Sequence, residues 1–179
     1  MTVGRGQLHF DWQLPENFRI HTERLDLIPG SAQLATTEWR ERETLSELLR
    51  VRVPDQWPPE LVIDRRSSEG AAWWDWYVAK RELDQAVLIG MTGIKGWPAV
   101  TGGVQVGCAF LPQFQGQSYG TEAVNGLTSW ALTHPQVDRV IAETPIGNDA
   151  AGAVLRKLGF ALSSSDEQEG LLRFEKTRA

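Results

Sequence analysis

One stretch, Val104 to Leu127, limits what the chain can fold into more than any other, because its hydrophobic period changes across a single glycine-bearing turn. Val104, Val106, Cys108 and Phe110 alternate with Gln105, Gly107 and Ala109, the period of two of a β-strand. Pro112 closes that strand, since it has no amide hydrogen to give a ladder. From Thr121 the period lengthens: Ala123, Val124, Leu127, Trp130 and Ala131 recur at helical spacing. Between strand and helix lies Gln115-Gly116-Gln117-Ser118-Tyr119-Gly120. The first amides of a helix have no partner within it, and the peptide dipoles add partial positive charge there. A glycine-containing turn feeding that end suits an anion such as a diphosphate. No Gly-Lys-Ser/Thr follows, so this is not a Walker loop, and it is not the Gly-x-Gly-x-x-Gly of dinucleotide folds. Taken alone, the turn is equally compatible with an ordinary strand-to-helix connection.

A chain of 179 residues is most simply one domain with a sizeable core. Residues 1–20 read as an N-terminal arm on residues 1–179 as a single unit. Its net charge of −5 argues against nucleic-acid binding through phosphates. The lone cysteine, Cys108, permits no intrachain disulfide and fits a reducing compartment. There is no signal-like apolar run and no stretch of membrane-spanning length, so a cytoplasmic protein with no membrane partner is expected. Three histidines and one cysteine at unrelated spacings make no metal site.

Elsewhere the pattern alternates between strand and helix. Thr22 to Ile28 predicts a first strand, and Ser31 to Arg52 two helical pieces with Leu45, Leu48 and Leu49 on one stripe. A proline-rich connection, Val53 to Glu60, precedes a further helix beginning at Leu61. Trp76–Lys80 and Ala86–Ile94 predict a hairpin. Arg139–Thr144 reads as a short buried strand. Asn148 or Asp149 caps a helix whose stripe is Ala151, Val154, Leu155 and Leu158, and which Gly159 terminates, with Phe160 folding back. Ala161 to Lys176 predicts a final strand pair.

Three of these segments together carry a resemblance. Gln115-x-x-Ser118-x-Gly120 resembles the Gln/Arg-x-x-Gly-x-Gly/Ala loop of the GNAT superfamily of N-acetyltransferases, with Ser118 where glycine is usual. Tyr119-Gly120-Thr121-Glu122-Ala123 and Asn148…Leu155-x-Lys157-x-Gly159-Phe160 are similar to further segments of that family. Thr22-Glu23-Arg24-Leu25 resembles the opening of its RimJ/RimL branch, the ribosomal-protein N-terminal acetyltransferases. We read Glu23 and Arg24 themselves as solvent-facing charges. With serine at position 118, the turn is expected to avoid a conformation that only glycine accepts.

The resemblance implies an α/β (α+β) fold: a mixed, mostly antiparallel twisted sheet flanked by helices, splayed between its fourth and fifth strands. It implies acetyl transfer from acetyl-CoA to a primary amine, a protein N-terminus or a small amine, by direct attack. The coenzyme would lie against Gln115, Gly116, Gln117, Ser118, Tyr119, Gly120 and Thr121, with Asn148 beside it. A backbone amide at Ala109, Phe110 or Leu111 would polarise the thioester carbonyl, where such oriented donors stabilise developing charge. One wall of the acceptor site would come from the segments between the first two strands, making Trp57, Trp73, Trp74 and Trp76 candidates to line it; the alternative is that these rings fill core. A homodimer is consistent with the resemblance.

Proton carriers are less evident. Glu143, at a strand end beside the expected split, is the first candidate for the base, directly or through water. Its alternative is a structural carboxylate paired with Arg139. Asp55 and Asp75 are weaker candidates. The tyrosine that many family members carry four residues before Gly-Phe is here Leu155, and the branch's serine is here Ala151. That double absence motivates a second reading, a coenzyme A-binding or sensing module with weak or no turnover. Cys108 has no histidine placed to activate it and reads as a packed cysteine.

Overall fold

Alternating apolar residues fold here into one sheet that two opposite hydrophobic layers bury from either side. The computed structural model describes residues 14–15, 17–31, 34, 37, 41–59, 74–96 and 101–178. In these, eight strands are arranged in the order β1-β2-β3-β4-β5-β6-β8-β7. They are β1 Ile20–His21, β2 Leu25–Pro29, β3 Trp74–Lys80, β4 Val87–Lys95, β5 Gly103–Phe110, β6 Arg139–Pro145, β7 Ala161–Asp166 and β8 Leu171–Thr177. Neighbours pair antiparallel, except that β5 and β6 run parallel. Three described helices accompany them: α1 Arg42–Leu49, α2 Tyr119–Ala131 and α3 Asp149–Lys157.

Period-two patterning splits each strand between the two layers. Leu27, Trp76, Val78, Ile89, Val104 and Val106 face a cluster closed by Ala123 and Leu127 of α2 and by Leu155 of α3. Tyr77, Ala79, Leu88, Met91, Ala109 and Leu111 face the other way, under Leu45 and Leu49 of α1 and the Val51–Trp57 segment. Leu27, Leu45, Leu49 and Leu127 are essentially fully buried, each contributing about 1.5–3 kcal/mol of transfer free energy. Thus α2 is fixed on one face of β5 and the proline-rich segment on the other.

Where the structure departs from the sequence reading, the reasons are local. The predicted first strand begins late, at Leu25, because Thr22–Arg24 is the turn joining it to the two-residue β1. Arg81 holds that turn, donating to the carbonyls of Thr22, Glu23 and Leu25 at 2.5–2.7 Å. Helix α2 starts at Tyr119, two residues before Thr121, where the helical period is read to begin. The helix predicted from Leu61 falls in residues 60–73, outside the described residues, as do Trp73 and the arm up to residue 13; Trp74 and Trp76 belong to β3. At the end of α3 the Phe160 amide donates to the Leu155 carbonyl and that of Gly159 to Arg156, the closure expected of Gly159.

Candidate functional site

The site begins where the β5–β6 pairing stops. Gly103–Val106 lie opposite Arg139–Ala142, and there the shared ladder ends. Strand β5 continues against β4 as far as Phe110, and β6 continues against β8 as far as Pro145. Gly107–Phe110 and Glu143–Pro145 therefore border a gap in the sheet, the splay expected between the fourth and fifth strands of the sequence reading.

Ladder parity says which amides face it. The Leu111 amide donates to the Ile89 carbonyl at 3.0 Å. In an antiparallel ladder, hydrogen-bonded and non-hydrogen-bonded pairs alternate. The amides of Leu111 and Ala109 thus turn toward β4, whereas those of Cys108 and Phe110 turn toward the gap. Of the three residues expected to offer a polarising amide, Phe110 alone has its own directed there; the Leu111 amide is already engaged. The Phe110 ring lies between two glycines. A Cβ at Gly90 would meet the Ala109 carbonyl at 2.5 Å and that ring at 2.7 Å, so no side chain fits.

Beyond β5 a short 3-10 helix, Pro112–Phe114, leads into the turn. Gln115 to Ser118 are exposed, and Tyr119 is buried. Gln115 Nε2 donates to the Phe110 carbonyl at 2.9 Å, tying the turn to the end of β5. Gly116 has φ +71 and Ser118 φ +64. The turn does not avoid the left-handed region, then: Ser118 occupies it as the residue preceding α2, and its side chain makes no capping bond. A non-glycine residue there costs about 1 kcal/mol or more. A Cβ at Gly116 would meet nothing within 4 Å. An uncapped helix start, two left-handed residues and open space before them fit an anionic ligand.

On its far side the turn is braced by Thr22 and by Arg24, the latter expected to face solvent. Glu122 accepts from Thr22 Oγ1 at 2.5 Å, from the Arg24 amide at 2.7 Å and from Arg24 Nε at 2.7 Å. Burial raises the Glu122 carboxyl, but these bonds outweigh it and hold the group below its usual range. Arg24 also donates to the Gln117 carbonyl at 3.2 Å and lies 4.4 Å over the Tyr119 ring. Arg24 is thus a partly exposed strut as well as a surface charge. The available signal was Glu122 itself: a carboxylate in the first turn of an anion-binding helix calls for a neutralising partner.

Glu143 sits just past the last β5–β6 pair. Its Oε2 accepts from Gln105 Nε2 at 2.8 Å, and its Oε1 from Arg173 Nε at 3.0 Å and from the same guanidinium's terminal nitrogen at 2.8 Å. The ion partner is Arg173, not Arg139, which donates to the Thr101 carbonyl instead. Asp55 is highly exposed and pairs with Arg42. Asn148 caps α3 by accepting from the Ala151 amide at 3.1 Å. Leu155 is a core residue.

Trp57 and Trp76 are not brought together. Trp76 is fully buried on the α2 face, its ring centroid 4.9 Å from that of Trp130. Trp57 lies on the opposite face, 9% exposed and 6.1 Å from Tyr77, in the layer that holds Ala109 and Leu111. The placement of Trp76 is the core-filling alternative; of these two, it is Trp57 that shares a cluster with Ala109 and Leu111 at the end of β5. Among the described residues no group of three or more His, Cys, Asp or Glu could hold a metal ion. Among them, too, no helix is long and apolar enough to cross a membrane.

A match to the acetyltransferase (GNAT) domain covers residues 30–161, from just after β2 through the gap and α3 to the first residue of β7. The chain belongs to this family. The GNAT fold uses acetyl-CoA, and the uncapped start of α2 with open space at Gly116 is compatible with that coenzyme's anionic groups. The uncharacterized N-acetyltransferase YjdG of Bacillus subtilis is 29% identical over 104 residues, covering 58% of this chain and 60% of that protein. The GNAT chain described here thus spans about three fifths of that relative's length in the match. A putative ribosomal-protein-serine acetyltransferase from Vibrio cholerae superposes with TM-score 0.56 at 20% identity, over 92% of this chain and 99% of that one. The ribosomal alpha-N-protein acetyltransferase RimL in complex with coenzyme A superposes with TM-score 0.57 at 12% identity, over 89% and 98%. At these identities the structural likeness speaks to the GNAT fold.

Proposed function

We propose that this protein is an acetyl-CoA-dependent N-acetyltransferase acting on a primary amine. The observation that carries the proposal is the end of β5–β6 pairing beside the uncapped start of α2. The backbone of Gln115–Thr121 would hold the diphosphate, with Asn148 flanking the coenzyme from α3. The Phe110 amide, turned to the gap, is the donor suited to the thioester oxygen. In the reaction the amine nitrogen forms the new C–N bond and the C–S bond breaks. One proton leaves the nitrogen and one returns to the sulfur. Glu143 is our proposed base; its bonds to Gln105 and Arg173 hold the carboxylate at the mouth of the gap. No side chain is assigned as acid, and a thiol of pKa about 8.5 is a tolerable leaving group unassisted. Trp57, on the face opposite α2, is the tryptophan we place on the acceptor side.

Calorimetric titration with acetyl-CoA tests this, on wild type and on Gly116→Trp. A side chain at Gly116 meets no protein atom close to its Cβ and would project into the open turn. Binding by the wild type that the substitution abolishes is expected. Absence of binding by the folded wild type would overturn the proposal. One observation favours the second reading: position 155 carries a leucine buried in the core and position 151 an alanine, so neither side chain offers a proton donor. Coenzyme binding with no acetyl transfer across a panel of peptide and small amines would establish a binding or sensing module instead.

A further inference from the structure

The Thr22–Arg24 turn has no part in the reaction outlined above, yet four described hydrogen bonds tie it to the proposed coenzyme turn and the start of α2. We infer that Arg24 is a positioning residue for the coenzyme's diphosphate, fixing the Gln115–Gly120 turn from the β1–β2 edge; the inference rests on the acetyl-CoA reading of that turn. One side chain reaches three parts of the helix start. Its NH1 holds the Gln117 carbonyl, its guanidinium covers the Tyr119 ring and its Nε holds Glu122. Among the described residues this NH1 bond is the one that reaches the backbone of 116–118 from outside the Pro112–Ala131 segment. That backbone needs a restraint, because it is exposed and passes through the left-handed region at both Gly116 and Ser118.

Charge points the same way. Glu122 stands in the first turn of α2, where a bare carboxylate would oppose a bound diphosphate. Arg24 pairs with it at 2.7 Å and offsets that charge. It acts from the β2 side, whereas the gap opens on the β6 side of β5, so the arginine supports the turn without occupying the ligand's space.

The test compares affinities for acetyl-CoA and for S-acetylpantetheine, which lacks the diphosphate, in wild type, Arg24→Ala and Arg81→Ala. Arg81 holds the same Thr22–Leu25 turn but touches neither Gln117 nor Tyr119 nor Glu122 through any described hydrogen bond, and so reports general loosening of the sheet edge. Arg24→Ala is expected to weaken acetyl-CoA about tenfold while leaving S-acetylpantetheine unchanged. Arg81→Ala is expected to lower the melting temperature with acetyl-CoA affinity retained. Equal acetyl-CoA affinity in Arg24→Ala and wild type would overturn the inference. So would an equal loss for both ligands, or an equal loss in Arg81→Ala. If Arg24→Ala does not fold, Arg24→Lys takes its place: it keeps the charge but cannot span Gln117, Tyr119 and Glu122 together, and an intermediate loss confined to acetyl-CoA is expected. A wild type that binds no acetyl-CoA at all removes the reading of the site, whereas a wild type that binds beside an unaffected Arg24→Ala removes the strut alone.

Discussion

Two helices of this protein begin in opposite ways. Helix α3 is closed by its own sequence: Asn148 accepts from the Ala151 amide, and Asp149 adds a negative charge in the first turn. Helix α2 is left open: Ser118 precedes it in a left-handed conformation, no side chain caps it, and Arg24 engages the acidic residue of its first turn. Both starts face the same structural problem of unpartnered amides. One is solved within the chain. The other is kept unsolved, with strain held in place, as a helix start reserved for a ligand would be.

Substitutions can erase that contrast. Ser118→Asp gives α2 a carboxylate at its start, and acetyl-CoA affinity is expected to fall roughly a hundredfold by charge repulsion, measured by calorimetry. At the other helix Asn148→Asp keeps a capping oxygen, so its melting temperature is expected to stay near that of wild type. Asn148→Ala removes the cap and is expected to cost about 1 kcal/mol in denaturant unfolding. Ser118→Gly relieves the left-handed strain and is expected to gain about 0.5 kcal/mol in the same assay, with coenzyme binding preserved. The smallest effect is in pH dependence. The Glu122 carboxyl is held low in the folded state, so its contribution is present above the unfolded carboxyl's pKa and is lost as pH falls through the depressed folded value. Glu122→Gln should therefore flatten the acid limb of stability against pH.

How far the residues revealed this in advance depends on the range of the interaction. Strands β3 to β6 and helices α2 and α3 follow from hydrophobic period, because one buried face selects one register. The Asn148 cap and the Gly159 closure are encoded within a few residues and were readable. The Glu143 partner was not. Arg139 shares its strand four positions away, about 13 Å along an extended chain, whereas Arg173 lies directly opposite on β8. Trp57 and Trp76 look like a cluster in one dimension, yet their segments fall on opposite faces of the sheet. The left-handed Ser118 was misread because the tie holding its turn comes from Arg24, more than ninety residues earlier.

The brevity of the β5–β6 ladder has a mechanical meaning. Strands β1 to β5 form one plate and β6 to β8 another, and among the described residues the main-chain seam between them is the short ladder of Gly103–Val106 with Arg139–Ala142, extended at its start where the Gly102 carbonyl accepts from the Asp138 and Arg139 amides. A ligand seated beyond that seam touches both plates and acts as a splint. Its binding free energy then becomes cohesion of the whole molecule, about 2.7 kcal/mol at a hundredfold excess over Kd. Amide protons on either side of the seam would then slow their exchange together as the coenzyme is added.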